Sequence, residues 1–119
     1  MPRQEVFLSE ISNGRQVEVV KTYDRQFARE VFDLMDDAAK ATLKNSLIAS
    51  GIFDSSELLD IDGDELWEGI EEGSREDWQT FSYFVVGEGK DAKADALFVC
   101  SDWPTAEAFA RSKLSSFAD

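Results

Sequence analysis

EVFLSEISNGRQVEVVKTY, residues 5–23, is the stretch that decides the fold class. Its centre, Asn13-Gly14, is the strongest short-range signal for a β-hairpin, because a type I′ turn requires positive φ at both central residues. Apolar and polar residues alternate on both sides of this turn, which predicts strands over residues 5–11 and 16–23. We therefore expect an antiparallel hairpin at the start of the chain.

The position of the turn also predicts the register of the hairpin. Leu8 is expected to lie opposite Val19, and Glu10 opposite Val17. Because alternate residues of a strand share one side of a sheet, one side of this hairpin is apolar. The residues predicted to share the core face are Val6, Leu8, Val17, Val19 and Tyr23.

A helical pattern follows the hairpin and runs from Asp24 to just before Gly51. Asp24 can cap the first turn, and glycine is a natural residue after the last one. The weak helix formers Thr42, Asn45 and Ser46 predict where this helix divides in two. Its predicted buried stripe, at three- and four-residue spacing, contains Phe27, Val31, Leu34, Met35, Ala38 and Leu43.

Residues 54–77 are expected to hold one or two short helices, and a second hairpin follows them. Aromatic and β-branched residues predict its strands over 78–86 and 94–101, joined by the polar, glycine-containing connection 87–93. The side chains predicted to face inward from the short helices are Leu66, Trp67 and Ile70.

Asp102-Trp-Pro104 predicts the start of a closing helix, with proline in its first turn. The resulting order, β-β-α-(α)-β-β-α, is typical of an α+β fold. We expect a single domain over residues 1–119, with an antiparallel sheet from two hairpins and helices packed on one face. The predicted buried stripe of the closing helix contains Ala106, Phe109, Ala110, Leu114 and Phe117.

Composition limits the location of the protein. The first residues lack the apolar core of a signal peptide, and no stretch approaches the ~18 apolar residues of a membrane span. The chain has one cysteine, Cys100, within an apolar run, where a buried and inert thiol is expected. These features predict a cytoplasmic protein without membrane contact.

The absence of histidine limits the chemistry. It excludes Ser-His and Cys-His nucleophile pairs, and with one cysteine it excludes the common zinc sites. Carboxylates alone could serve glycoside hydrolysis or hold magnesium, but no glycine-rich phosphate loop accompanies them. We expect no enzyme, no catalytic residue and no cofactor.

Charge is concentrated in one segment. The chain has a net charge of −13, of which residues 54–77 carry −10, with eleven acidic residues and one base. Residues 1–53 and 78–119 are nearly neutral, at −1 and −2. A surface that needs only solubility is better served by mixed signs, so this asymmetry favours a docking surface over a solvated face.

Clustered carboxylates attract a basic protein and repel nucleic acid. The sequence therefore predicts an acidic protein-binding module, of the inhibitor or immunity type, that covers the nucleic-acid-binding surface of a partner such as a nuclease. Its carboxylates would stand in for phosphates as a nucleic-acid mimic, with Trp67 as an apolar anchor. The predicted partner-binding residues are Asp60, Asp62, Asp64, Glu65, Trp67, Glu68, Glu71 and Glu72.

Two alternatives remain open at this point. The protein could be a dedicated chaperone or adaptor for a basic client, as a monomer or a homodimer. Residues 60–71 also resemble an EF-hand loop, with acids at five of its ligand positions, but Glu65 replaces the glycine of the sharp turn. The metal ligands of that calcium-binding alternative would be Asp60, Asp62, Asp64 and Glu71.

Overall fold

The computed structural model of the protein describes residues 4–49, 51, 63–74, 81–90 and 95–117. Within these ranges four strands form one antiparallel sheet against which helices pack, which confirms the α+β class. None of the described helices is long and apolar enough to cross a membrane. The elements are β1 (Gln4–Ser12), β2 (Arg15–Thr22), α1 (Arg25–Leu34), α2 (Asp37–Ala49), α3 (Gly63–Ser74), β3 (Tyr83–Lys90), β4 (Asp95–Cys100) and α4 (Trp103–Phe117).

The first hairpin forms around the predicted turn. Asn13 and Gly14 have φ angles of 54° and 79°, as a type I′ turn requires. β1 pairs with β2 in the predicted register, with Leu8 opposite Val19. A two-residue turn of fixed geometry determines this register locally, which is why the sequence predicts it correctly.

A β-bulge at Phe7 changes the predicted core face of this hairpin. The pairing with β2 skips Phe7, so that Val6 lies opposite Val20. The extra residue turns Val6 to the other side of the sheet, where it is 60% exposed, and its predicted place in the core is wrong. Tyr23 is half-buried because it lies beyond the last residue of β2.

The sheet order is β1-β2-β3-β4, so the second hairpin extends the first. β3 ends later than predicted, since it continues to Lys90, which lies opposite Arg15 at the start of β2. The predicted connection over residues 87–93 therefore begins too early. Trp78, the predicted first residue of this strand, lies outside the described residues.

The predicted long helix is divided at Met35 and Asp36, not at the weak helix formers. Asp36 caps α2 by accepting the backbone N–H of Ala39 at 2.8 Å. Thr42 lies within α2, and its hydroxyl donates to the carbonyl of Ala38 at 3.1 Å. The break redirects the chain, and Leu34, predicted to be buried, is 75% exposed.

The other predicted helix starts are present. Asp24 caps α1 through the N–H of Phe27, and Asp102 caps α4 through the N–H of Thr105. The predicted stripe of α4 faces the sheet, with Ala106 and Ala110 fully buried, Phe109 and Leu114 partly buried. The Phe117 side chain, also predicted in that stripe, lies outside the description.

Helices cover both sides of the sheet. Tyr83 and Phe84 are neighbours on β3 and therefore point to opposite sides. Tyr83 stacks on Trp67 of α3, with ring centroids 5.7 Å apart, whereas Phe84 lies 6.0 Å from Trp103 of α4. α1 joins α3 through Phe32, which contacts Trp67. β3 is apolar on both sides, and each side must be covered to leave water.

The turn supports a prediction about stability. We expect Gly14→Ala to destabilise the protein by about 1 kcal/mol, because a Cβ is disfavoured at positive φ. The space around Gly14 is open, so the cost is one of backbone conformation alone. Gly63→Ala is the matched control, since Gly63 is also unobstructed but has no positive φ. Urea denaturation measures both, and an equal loss in the two variants would contradict the prediction.

Candidate acidic docking surface

Five carboxylates of the acidic segment lie on α3, and they share one side of it. At 3.6 residues per turn, their positions fall within about 120° of the helix circumference. The opposite side carries the buried residues Leu66 and Ile70, so four of the five carboxylates are exposed, whereas the Glu71 side chain is 16% exposed. We call these five residues the acidic face of α3: Asp64, Glu65, Glu68, Glu71 and Glu72.

The remaining predicted site residues are placed differently. Trp67 is 7% exposed, and its indole packs between Phe32 and Tyr83. It is a core residue, and its burial leaves little indole surface with which to anchor a partner. Asp60 and Asp62 lie outside the described residues.

Two arginines of α1 reach part of the acidic face. Arg25 Nε forms an ion pair with Glu71 Oε2. A second ion pair joins Arg29 Nη2 to Asp64 Oδ1, 3.6 Å apart. The hydrogen bond that Arg25 donates to the Glu71 carboxylate raises the pKa of Arg25 above its ordinary value. Glu68 carries no ion pair within the described ranges, and neither does Glu72. The acidic face is therefore only partly neutralised.

A cavity of about 430 Å³ lies beside these residues, between α1 and α3. Both Arg25 and Phe81 line this cavity, and the guanidinium carbon of Arg25 lies 5.6 Å from the ring centroid of Phe81. This distance is within the range of a cation–π contact. The cavity combines carboxylates with an aromatic ring, a combination that suits a planar cation. Its lining residues are Arg25, Glu68, Glu71, Glu72 and Phe81.

Tyr83 lies next to this cavity and is fully buried. Its hydroxyl lies beside the Glu71 carboxylate and the Arg25 guanidinium. Burial, reinforced by the negative charge of Glu71, raises the pKa of Tyr83 to about 12. The phenol therefore stays protonated at neutral pH.

The contribution of α1 to this surface is absent from the predicted site. Arg25 and Arg29 are four residues apart, so they share a side of their helix. This four-residue spacing indicates a basic side of α1. It does not indicate that α3, which begins more than thirty residues later, packs beside it. Local patterns do not report which two helices become neighbours, and Phe81 and Tyr83 join the site for the same reason.

A second cavity, of about 730 Å³, lies between α2 and α4. The exposed Leu34 is at its border, and Ser46 and Thr105 connect the two helices through their hydroxyls, 2.6 Å apart. Glu88 lines it and is paired with Arg15 and with Lys113. Its charged lining residues are Asp36, Glu88 and Lys113, and each already has a partner, since Asp36 caps α2 and Lys113 pairs with Glu88.

The geometry of α3 bears on the calcium alternative. The chain is helical from Gly63 onwards, and Asp64 and Glu71 are separated by roughly 10 Å along the helix axis. Each is paired with an arginine. Across residues 4–49, 63–74, 81–90 and 95–117, no group of three or more acidic or thiol side chains is placed to hold a metal ion.

Cys100 is fully buried with a free thiol, as the apolar run around it predicts. Its sulfur donates to the carbonyl of Asp102 at 3.3 Å. Burial raises the pKa of this thiol far above its ordinary value. A thiol held in its neutral form in the core is a poor nucleophile.

The surface described above offers binding groups rather than a reacting pair. It consists of exposed carboxylates, two arginines and an aromatic cavity. A planar or extended cation fits these groups by charge and by shape. Comparison with known proteins finds no matching family model, no matching curated protein and no matching solved structure.

Proposed function

We propose that this protein binds a basic partner protein through the acidic face of α3, and that it inhibits the partner by covering its nucleic-acid-binding surface. The observation that carries the proposal is the grouping of all five described carboxylates of the segment on one side of α3, where four of them are exposed. Carboxylates that served only solubility would be spread around the molecule among basic residues.

Charge balance supports the same partner chemistry. Residues 54–77 carry a net charge of −10, and α1 supplies two arginines to α3. Crowded like charges destabilise a compact state, and a basic partner relieves that repulsion. The same field speeds the encounter with a positive surface and repels phosphate backbones. A basic surface that grips nucleic acid is the natural complement.

The alternative of a dedicated chaperone or adaptor shares this surface and differs in the effect on the partner. An inhibitor lowers the nucleic-acid cleavage or binding of its partner at one-to-one stoichiometry. A chaperone raises the folded yield of its client and leaves its activity intact. The inhibitor is preferred because the acidic face would compete directly with phosphates for the same basic groups.

The test is the triple variant E65Q/E68Q/E72Q, which leaves the ion pairs of Asp64 and Glu71 in place. With about 1 kcal/mol for each carboxylate, we expect the affinity for the partner to fall about 100-fold, with folding intact by circular dichroism. The partner is captured with the wild-type protein at low ionic strength and identified by mass spectrometry. Its nuclease or nucleic-acid-binding activity is then measured with and without the protein.

The matched control is E10Q/E18Q/E107Q, which removes the same charge from β1, β2 and α4. We expect it to change affinity much less than the α3 variant does. Raising the salt concentration should slow association strongly and change dissociation little. Equal losses in the two triple variants, or wild-type affinity in E65Q/E68Q/E72Q at low salt, would exclude the acidic face as the binding surface.

A further inference from the structure

Three of the four large apolar side chains that are exposed in the described part of the chain lie on β1. Val6, Phe7 and Ile11 are 60%, 44% and 66% exposed, and the fourth, Leu34, lies on α1. Exposed apolar residues scattered singly need no explanation. A group of them on one strand indicates an interaction surface.

β1 is also an edge strand. It is first in the sheet order, so within the described ranges it has a strand neighbour on one side only. Its outer backbone N–H and C=O groups therefore form a row that can pair with another strand. Natural edge strands are commonly short or protected by lysine or proline, whereas β1 spans nine residues, Gln4–Ser12, with neither. The bulge at Phe7 leaves the pairing with β2 regular from Leu8 to Ser12.

The helices cover this edge unequally on the two sides of the sheet. α4 contacts all four strands on its side, whereas α1, on the other side, contacts β3 and β4. Val6, Ser9 and Ile11 share one side, since each lies opposite an alternate residue of β2. It is the side on which Tyr83 meets α3. The helical cover there is concentrated on β3 and β4, which leaves Val6 and Ile11 in solvent.

The charges at this edge allow two copies of the chain to approach each other. Residues 1–53, which include β1 and β2, carry a net charge of −1. Glu10, near the middle of β1, lies 3.9 Å from Arg111 of α4 and is partly neutralised by it. The acidic face of α3 is distant, because α3 packs on β3, two strands or roughly 10 Å away along the sheet. A basic partner is drawn to α3, whereas a nearly neutral apolar edge suits a second copy.

We propose that two copies of this chain pair through β1, antiparallel, and form one continuous sheet of eight strands. In the pairing that brings the most apolar surface together, Val6 of one copy meets Ile11 of the other around a two-fold axis near Ser9. The opposite edge strand, β4, contacts α1 and α2, so assembly closes at two copies. This interface goes beyond the proposed function and leaves the acidic face of α3 open to a basic partner.

Sedimentation equilibrium at protein concentrations from about 1 to 200 µM tests the assembly. We expect a mass that approaches twice 13.4 kDa at the highest concentration. Raising the salt from about 50 to 500 mM should strengthen the dimer, because it screens the repulsion between two chains of charge −13. Binding of a basic partner responds to salt in the opposite direction. A mass of 13.4 kDa at every concentration in the higher salt would refute the dimer and leave the proposed function standing.

Ile11→Lys tests the edge, since a lysine on an edge strand opposes pairing with another strand. We expect it to raise the Kd of the dimer about 100-fold, with the fold intact by circular dichroism. Leu34→Lys is the matched control, because it adds the same charge at another exposed apolar residue, on α1. It should leave the Kd unchanged. Equal effects of the two variants would exclude β1 as the interface.

Ser9→Cys tests the position of the two-fold axis. Cys100 is the only cysteine of the chain and is buried, so the new thiol is the one that a short bismaleimide reaches. We expect a crosslinked dimer, because directly opposite residues of paired strands lie about 5 Å apart. Ala41→Cys, exposed on α2, is the control and should give little crosslinked product. Equal crosslinking in the two variants would overturn the proposed pairing.

Discussion

Replacing Trp67 with alanine is expected to lower the free energy of unfolding by about 3–5 kcal/mol. The indole is 7% exposed, stacks on Tyr83 with ring centroids 5.7 Å apart, and also contacts Phe32. Its removal leaves a cavity where α1, α3 and β3 meet. Urea denaturation followed by far-UV circular dichroism measures the loss without relying on the deleted fluorophore.

Trp67→Phe is the matched control, because it keeps an aromatic ring against Tyr83 and should cost only about 1–2 kcal/mol. The pair of variants also separates two roles for this residue. A partner anchor would lose binding with little loss of stability, whereas a core residue loses stability first. A change below 1 kcal/mol in Trp67→Ala, together with lost partner binding, would contradict the assignment to the core.

Alkaline pH is expected to destabilise the protein through Tyr83. The pKa of this phenol is about 12 in the folded protein and about 10 when unfolded. Between these values the unfolded chain releases a proton that the folded one retains, so stability is full below pH 10 and declines as pH rises towards 12. At pH 11.5 the expected loss is about 2 kcal/mol.

Tyr83→Phe isolates this contribution, because the other titrating groups are common to both proteins. The variant should match the wild type at pH 8 and exceed it by about 2 kcal/mol at pH 11.5. Thermal unfolding at intermediate pH values measures the difference. The buried thiol of Cys100 acts in the same direction and remains in both proteins. A difference that is independent of pH would show that the phenol titrates normally in the fold.

Much of the fold follows from short stretches of sequence. The Asn13-Gly14 turn sets the register of the first hairpin, and Asp24 and Asp102 start their helices at the predicted residues. Each of these signals acts between residues a few positions apart. The bulge at Phe7 and the break at Asp36 were missed, since each depends on how the flanking segments pack.

The candidate site also combines a part that local sequence predicts with a part that depends on contacts between distant segments. The grouping of carboxylates on one side of α3 follows from helical spacing once Leu66 and Ile70 are assigned to the core. The arginines that approach this face, and the ring of Phe81 beside it, belong to segments distant in the chain. Helical periodicity alone does not identify such partners.

The sequence by itself determined the two hairpins, the starts of α1 and α4, and the concentration of negative charge between residues 54 and 77. Only the tertiary structure decided between the two roles predicted for Trp67, core residue and partner anchor, and only it showed that Arg25 meets Glu71 beside Phe81. The physical reason is the separation along the chain of the residues that interact. Turns, caps and helical faces are set by neighbours in the chain, whereas burial and ion pairing depend on which distant elements exclude water together.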